Sequence, residues 1–151
     1  MGLIDFVKDA GQKLFGIGKS GEEEAREKAD ALGGFIKNLG FEAEDLVIQV
    51  NDETAIVSGK VESQEIREKI VLAVGNTEGI AQVDDRLVVE KPEPEAKYYT
   101  VKRGDTLSGI AKEQYGNAMK YPVIFEANRP MLKDPDKIYP GQVLRIPDLV
   151  Q

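Results

Sequence analysis

The side chains of this 151-residue chain offer only a narrow range of types for acid–base, nucleophilic or metal chemistry. The sequence has no cysteine and no histidine, which removes zinc–thiolate sites, iron–sulfur clusters and the commonest general base. It contains neither a Gly-x-Ser-x-Gly nucleophile motif nor a P-loop of the form Gly-x-x-x-x-Gly-Lys-Ser/Thr. Catalysis would depend on carboxylates, lysine or tyrosine, and a carboxylate pair would need a cleft that small domains have little room for. We therefore expect a binding protein and not an enzyme.

Two acidic pairs are the densest groups of side-chain oxygen ligands, Asp84-Asp85 and Asp134-Pro135-Asp136. Neither pair has the spaced ligands and central glycine of an EF-hand loop. Asp84 and Asp85 would point to opposite faces of a strand, so both cannot easily reach one ion. We interpret both pairs as solvated surface charge, which makes calcium and magnesium weak candidates.

Backbone carbonyl oxygens are the other source of ligands, and two segments can leave them free. The better one, Val74–Ile80, follows a predicted helix and is framed by Gly75 and Gly79. Helix C-termini leave carbonyls unpaired, and glycine turns can aim successive carbonyls inward. The second is the break at Ala10-Gly11-Gln12. The alternative is that Gly75 stops a helix and Gly79 forms a turn into a strand, because glycine is the default turn residue.

Charge and the first residues bear on partners and location. The net charge of −7 argues against nucleic acid, which needs a basic face, and suits a protein that attracts small cations. The start, Met1–Asp9, lacks the basic segment and the cleavage site of a secretory signal, and Phe6 stands where a myristoylation motif needs serine or threonine. No stretch approaches the length of a membrane span. We expect a cytoplasmic protein without stable membrane insertion.

Residues 91–97, Lys-Pro-Glu-Pro-Glu-Ala-Lys, indicate a semi-extended linker between two domains. At the other end of the chain, apolar residues recur at steps of four and three, which predicts an amphipathic helix over residues 1–19. These residues are Leu3, Val7, Ala10, Leu14 and Ile17. The apolar face is expected to pack on the adjacent domain. A membrane-surface helix is the alternative, although Asp5 and Asp9 offset its lysines.

Residues 20–90 are predicted to form a small α+β sandwich in the order helix, strand, strand, helix, strand. The capping box Ser20-Gly21-Glu22-Glu23 starts the first helix and Gly40 ends it. Ser63 is expected to cap the second helix, which Gly75 ends. The strands between are rich in β-branched residues.

Short motifs of this region resemble the BON domain family. They are Val57-Ser58-Gly59-Lys60-Val61, Val74-Gly75, Gly79-Ile80-Ala81-Gln82-Val83-Asp84-Asp85 and Leu87-Val88-Val89. The resemblance covers about residues 22–90, and it implies the αββαβ order. BON domains are associated with osmotic-stress, secretin and channel proteins, often near membranes.

Residues 98–148 read as a strand, a Gly104-Asp105-Thr106 turn, two helices and a closing strand. Asp105 is expected to cap the first helix, which ends at Tyr115-Gly116, and Pro122 fits the first turn of the second. This βααβ order resembles the LysM domain family, whose members usually bind N-acetylglucosamine polymers.

One BON domain joined to a C-terminal LysM domain resembles the family of small cytoplasmic potassium-binding proteins of bacteria. The resemblance extends over nearly the whole chain, and it implies reversible K⁺ binding with a change of conformation. We expect the protein to be a monomer. Potassium sites replace water with several carbonyl oxygens, so the ligands would be backbone groups. The predicted ligand carbonyls are those of Val7, Ala10, Gln12, Gly75, Thr77 and Gly79. The N-terminal segment would close over the loop after the second helix and give a compact form.

The alternative is binding of peptidoglycan or its fragments, which the LysM resemblance implies. Two loops would flank a shallow groove, and the expected contact residues are Asp105, Thr106, Leu107, Asn128, Pro130 and Met131. Against this, Asp105 and Thr106 can serve simply as helix caps, and the LysM domain can instead be a docking surface for the BON domain. A membrane-surface function of the first helix and the BON domain is the third interpretation.

Overall fold

The computed structural model describes residues 2–7, 10–11 and 21–149. The fold is α+β, as predicted. Its strands are β1 (Gly2–Asp5), β2 (Glu44–Asn51), β3 (Thr54–Ser63), β4 (Gln82–Lys91), β5 (Lys97–Thr100) and β6 (Val143–Ile146). Its helices are α1 (Gly21–Asn38), α2 (Gln64–Gly75), α3 (Leu107–Tyr115) and α4 (Tyr121–Ala127), with a 3₁₀ turn at Ala118–Lys120.

The first domain is a four-stranded sheet in the order β1-β4-β3-β2, packed against α1 and α2. Strands β3 and β4 are parallel, and α2 is the crossover helix that parallel neighbours require. The core lies between the helices and the sheet. Its fully buried side chains include Leu32, Ile36, Ile70, Val57 and Leu87.

The prediction of an N-terminal helix is wrong for residues 2–5, which form strand β1 at the edge of the sheet. Strand β1 is antiparallel to β4, with Leu3 opposite Asp84 and Ile4 opposite Val83. Ile4 packs on the core, whereas Leu3 is exposed on the other face. The edge of β4 offers backbone hydrogen bonds to residues 2–5, and these outweigh the weak preference for a helix that the apolar spacing indicates. Leu14 and Ile17 lie outside the described residues.

Two predicted helix boundaries follow from local chemistry. The Ser63 hydroxyl accepts a hydrogen bond from the Ile66 N–H at 3.2 Å, so Ser63 is the N-cap of α2, as predicted. Helix α1 ends just before Gly40, whose N–H donates to the Lys37 carbonyl at 3.0 Å. The predicted capping box at residues 20–23 involves side chains outside those described.

The second domain pairs β5 and β6 as an antiparallel ribbon, with Tyr99 opposite Leu144, and covers it with α3 and α4. It has a separate core that includes Leu107, Ile110, Ile124 and Leu144. Residues 92–96, between β4 and β5, have no regular secondary structure.

Candidate functional site

The loop from α2 to β4 turns tightly and is largely buried. The Asn76 N–H donates to the Leu72 carbonyl at 2.8 Å, and the Thr77 N–H donates to the Val74 carbonyl at 3.3 Å. The Thr77 hydroxyl also donates to the Ala73 carbonyl at 3.2 Å. These bonds fix the loop to the last turn of α2, at the negative end of the helix dipole.

The N-terminal segment, which follows β1 and begins at Phe6, lies directly on this loop. The Phe6 N–H donates to the Ala81 carbonyl at 2.8 Å, which continues the edge pairing of β1, and the Phe6 side chain is only 8% exposed. A methyl group on Gly75 would overlap the Phe6 ring. Gly75 therefore leaves the space that the aromatic ring fills.

Gly11 makes the second close approach. Its φ of +111° is one that L side chains rarely adopt, and a methyl group there would overlap the Asn76 carbonyl and lie 3.2 Å from the Thr77 nitrogen. The backbone at Gly11 therefore lies against the backbone of the α2–β4 loop. The fold thus brings together the two segments that were predicted to supply carbonyl ligands.

The predicted ligand carbonyls differ in their hydrogen bonding. The Val7 carbonyl accepts from the Ala10 N–H, and the Thr77 carbonyl accepts from the Ile80 N–H, both at 3.1 Å. No described residue donates a hydrogen bond to the carbonyls of Ala10, Gly75 or Gly79. Since each carbonyl oxygen has two lone pairs, the hydrogen bonds that the described residues donate to Val7 and Thr77 leave one lone pair on each oxygen. Gln12 lies outside the described residues, so its carbonyl stays a prediction.

The LysM-like domain contacts the same N-terminal segment. A methyl group on Gly141 would lie 2.9 Å from the Ala10 Cβ and 3.3 Å from the Val7 Cβ. The Tyr139 hydroxyl lies 3.5 Å from the Asn76 carbonyl oxygen. Burial raises the pKa of Tyr139 to about 12, so the phenol remains neutral and can donate. Val7, Ala10 and Gly11 therefore lie between the two domains.

Buried charged groups hold the two domains together. Glu68 of α2 is 2% exposed. Its carboxylate accepts hydrogen bonds from Arg145 Nε of β6 at 2.7 Å, and from Gln64 Nε2 and the Ala96 N–H at 3.0 Å. These donors satisfy a carboxylate that would otherwise be costly to bury. One glutamate thus joins α2, the linker and the second domain.

The two members of the acidic pair Asp84-Asp85 have different environments. Asp85 is buried and accepts from Arg67 Nε at 2.8 Å, so the prediction of solvated surface charge is wrong for this residue. Asp84 pairs with Arg86 on the outer face of the sheet. The alternation along β4 explains the difference, because it turns only Asp85 toward α2. Among the described residues, no group of three or more His, Cys, Asp or Glu could hold a metal ion.

The first of the two loops that were predicted to flank a glycan groove uses its polar side chains in hydrogen bonds within the domain. Thr106, and not the predicted Asp105, is the N-cap of α3: its hydroxyl accepts from the Gly109 N–H at 3.1 Å. Asp105 instead closes the preceding turn, accepting from the Tyr99 hydroxyl at 2.6 Å and the Lys102 N–H at 2.8 Å. These bonds lower the pKa of Asp105. The Leu107 side chain is buried in the domain core.

The second of these predicted loops, which carries Asn128, Pro130 and Met131, directs side chains toward the BON-like domain or the interior of its own domain. Asn128 is 2% exposed, and its amide bonds the Ile124 carbonyl and both backbone groups of Arg145. Met131 packs against both apolar cores, and its sulfur lies 3.3 Å from Asn76 Nδ2. Pro130, which follows a cis peptide bond, is half-buried. Of the six predicted glycan contacts, Thr106 has the most exposed side chain.

Sequence reasoning missed Asn76 and Glu68, which lie at the domain interface, and it assigned Asn128 to glycan binding although its amide is buried in the LysM-like core. Their only signal was a polar residue within or just after a helix, which is common on surfaces as well. No helix in the described part of the chain is both long and apolar enough to cross a membrane.

Comparison with known proteins gives two domain families and several relatives. The LysM domain family matches residues 99–147, and the BON domain family matches residues 19–91. The chain is 51% identical to the potassium binding protein Kbp of Escherichia coli, over 98% of this chain and 99% of that protein. An uncharacterized protein of Deinococcus radiodurans is 45% identical over 45% of this chain and 26% of its own length. A Mycobacterium tuberculosis protein named as an esterase is 42% identical over 44% of this chain, but only 13% of the esterase is covered.

The first of these relatives settles the family. It matches at high identity from end to end, and the BON and LysM matches fall on the two domains of the fold. This protein belongs to the family of the potassium binding protein Kbp.

Proposed function

We propose that this protein binds K⁺ reversibly through backbone carbonyls where the N-terminal segment meets the α2–β4 loop. The ligand carbonyls in this proposal are those of Val7, Ala10, Gln12, Gly75, Thr77 and Gly79. The observation that carries it is the close approach through Gly11 and Gly75, which brings two carbonyl-bearing segments together. The name of the Escherichia coli relative supports the choice of ion.

Ion chemistry favours a monovalent cation over a divalent one. Potassium is bound by rings of neutral carbonyl oxygens that replace its hydration shell, whereas calcium takes several carboxylates. The candidate segments contribute carbonyls and carry no acidic cluster among the described residues. The C-terminal end of α2 adds a partial negative charge, and the net charge of −7 attracts cations in general.

Ion binding would also order the two domains into a compact form. The N-terminal segment touches the α2–β4 loop on one side and the Gly141 turn on the other. A cation that holds the N-terminal segment against the α2–β4 loop favours the arrangement in which the second domain packs on both the segment and the loop. Such a ligand shifts the equilibrium only by its different affinity for the open and closed states. We propose that this sensing takes place in the cytoplasm, in a monomer.

Titration calorimetry with KCl and NaCl tests the proposal, with choline chloride holding ionic strength constant. We expect saturable heat for K⁺, a weaker response to Na⁺, and a decrease in the radius of gyration by X-ray scattering as K⁺ saturates. Equal, unsaturable heats for both salts with no compaction would reject it.

Peptidoglycan binding is the second candidate and has less support. Leu107 and Asn128 are buried, and Met131 contacts Asn76 of the other domain. Sedimentation with purified sacculi would detect this function directly. We expect the protein to stay in the supernatant both with and without K⁺.

A further inference from the structure

Asn76 is the residue at which the candidate ion loop, the N-terminal segment and the second domain meet. It follows the last residue of α2, and it is 5% exposed. Its backbone carbonyl lies beneath Gly11 and 3.5 Å from the Tyr139 hydroxyl. Its main chain therefore belongs to the loop that holds the proposed ligands Gly75 and Thr77.

The Asn76 side chain bonds the backbone of strand β6. Its Nδ2 donates to the Val143 carbonyl at 2.8 Å, and its Oδ1 accepts from the Val143 N–H, also at 2.8 Å. A carboxamide presents one donor and one acceptor side by side, as a neighbouring strand would. Asn76 thus pairs with the edge of β6 that faces away from β5.

Asn128 makes the same pair of bonds two residues further along β6. Its Nδ2 donates to the Arg145 carbonyl at 2.9 Å, and its Oδ1 accepts from the Arg145 N–H at 2.7 Å. Residues two apart on a strand present their backbone groups to the same side, so both asparagines cover one edge. One asparagine comes from within the second domain, whereas the other comes from the ion loop of the first.

We infer that Asn76 couples cation binding at the α2–β4 loop to docking of the second domain, an inference that rests on the proposed function. Fixing the loop carbonyls around a cation fixes the Asn76 backbone and thereby the direction of its carboxamide. Its two bonds to Val143 then form only in the docked state. By linkage, K⁺ strengthens docking, and docking strengthens K⁺ binding by the same factor.

The test compares Asn76→Ala with Asn128→Ala in the full chain. Both variants lose an asparagine that makes two hydrogen bonds to the backbone of β6. Of these bonds, only those of Asn76 join the two domains, because Asn128 and β6 both belong to the second domain. For Asn76→Ala we expect K⁺ affinity to fall about tenfold and K⁺ no longer to reduce the radius of gyration, since two interdomain hydrogen bonds are lost. For Asn128→Ala we expect wild-type affinity and compaction, with urea unfolding at a lower midpoint.

Each outcome has a separate meaning. If wild type binds K⁺ and Asn76→Ala matches it in affinity and compaction, the coupling is overturned and the proposed function stands. If Asn128→Ala weakens K⁺ binding as much as Asn76→Ala, general loosening of the second domain accounts for both and the assignment to Asn76 fails. If wild type shows no K⁺ binding, the proposed function and the coupling fall together. Circular dichroism checks folding, and Asn76→Ser replaces Asn76→Ala if the latter does not fold.

Discussion

Replacing Gly75 with alanine is the sharpest perturbation of the candidate site. The added methyl group would overlap the Phe6 ring, while the Gly75 carbonyl remains in place as a proposed ligand. The substitution therefore acts on the docking of the N-terminal segment and leaves the chemistry of the loop unchanged. We expect Phe6 to be displaced from its pocket.

The expected magnitude follows from two opposing terms. Burying a phenylalanine side chain stabilises by about 1.5–3 kcal/mol, and Phe6 is nearly buried. Alanine in place of glycine in a helix stabilises by up to about 1 kcal/mol, and by less at a helix end. The net loss for the docked segment is about 0.5–3 kcal/mol, which corresponds to a K⁺ affinity that is weaker by roughly two- to a hundredfold.

The assay is potassium calorimetry on a double-mutant cycle of Gly75→Ala and Phe6→Ala. Phe6→Ala alone also weakens K⁺ binding, because the segment loses its anchor. Once the ring is gone, Gly75→Ala should add no further loss, so the two changes are strongly non-additive. Gly33→Ala in α1 is the matched control: a methyl group there meets nothing within 4 Å, so it gains helix propensity without a clash.

Additive effects of the two substitutions would refute this reasoning, since they would mean that the alanine methyl acts by a route other than the ring. So would wild-type affinity in Gly75→Ala, because the segment would then bind without Phe6 in place. A loss of affinity in Gly33→Ala would point to a general effect of helix glycines.

Three further predictions concern stability. Glu68→Gln should lower the free energy of unfolding in urea by about 3–5 kcal/mol, because it leaves Arg145 buried without its ion pair, whereas Glu62→Gln at an exposed pair should change it by less than about 1 kcal/mol; equal effects would contradict this. Asp105 has a lowered pKa, so its contribution is present above the unfolded-state pKa and is lost as pH falls through the lower folded value; Asp105→Asn should flatten the acid limb of the stability curve below about pH 4, and an unchanged limb would argue against it. Thr106→Ala should cost about 1 kcal/mol in thermal unfolding as a lost N-cap, and no change would reassign the cap.

Local patterns predicted most of the regular elements. Ser63 was identified as a helix cap and confirmed, because capping depends on groups within three residues. Helix α3 ends as expected at Gly116, which adopts the left-handed conformation. Asp105 and Thr106 could both cap α3, and the prediction of Asp105 is wrong. The Tyr99 hydroxyl and the Lys102 N–H donate to the Asp105 carboxylate, and Thr106 caps the helix.

The sequence by itself determined the αββαβ and βααβ orders, because periodicity and turn residues act over a few positions. Only the tertiary structure decided which partner each remaining group takes. It made residues 2–5 an edge strand, since β4 had a free edge, and it buried Asp85, since Arg67 lies opposite. It also placed Asn76 on β6, 67 residues away in sequence. Backbone amides and carboxamides pair with any strand edge brought near them, so such contacts leave no periodic trace in the sequence.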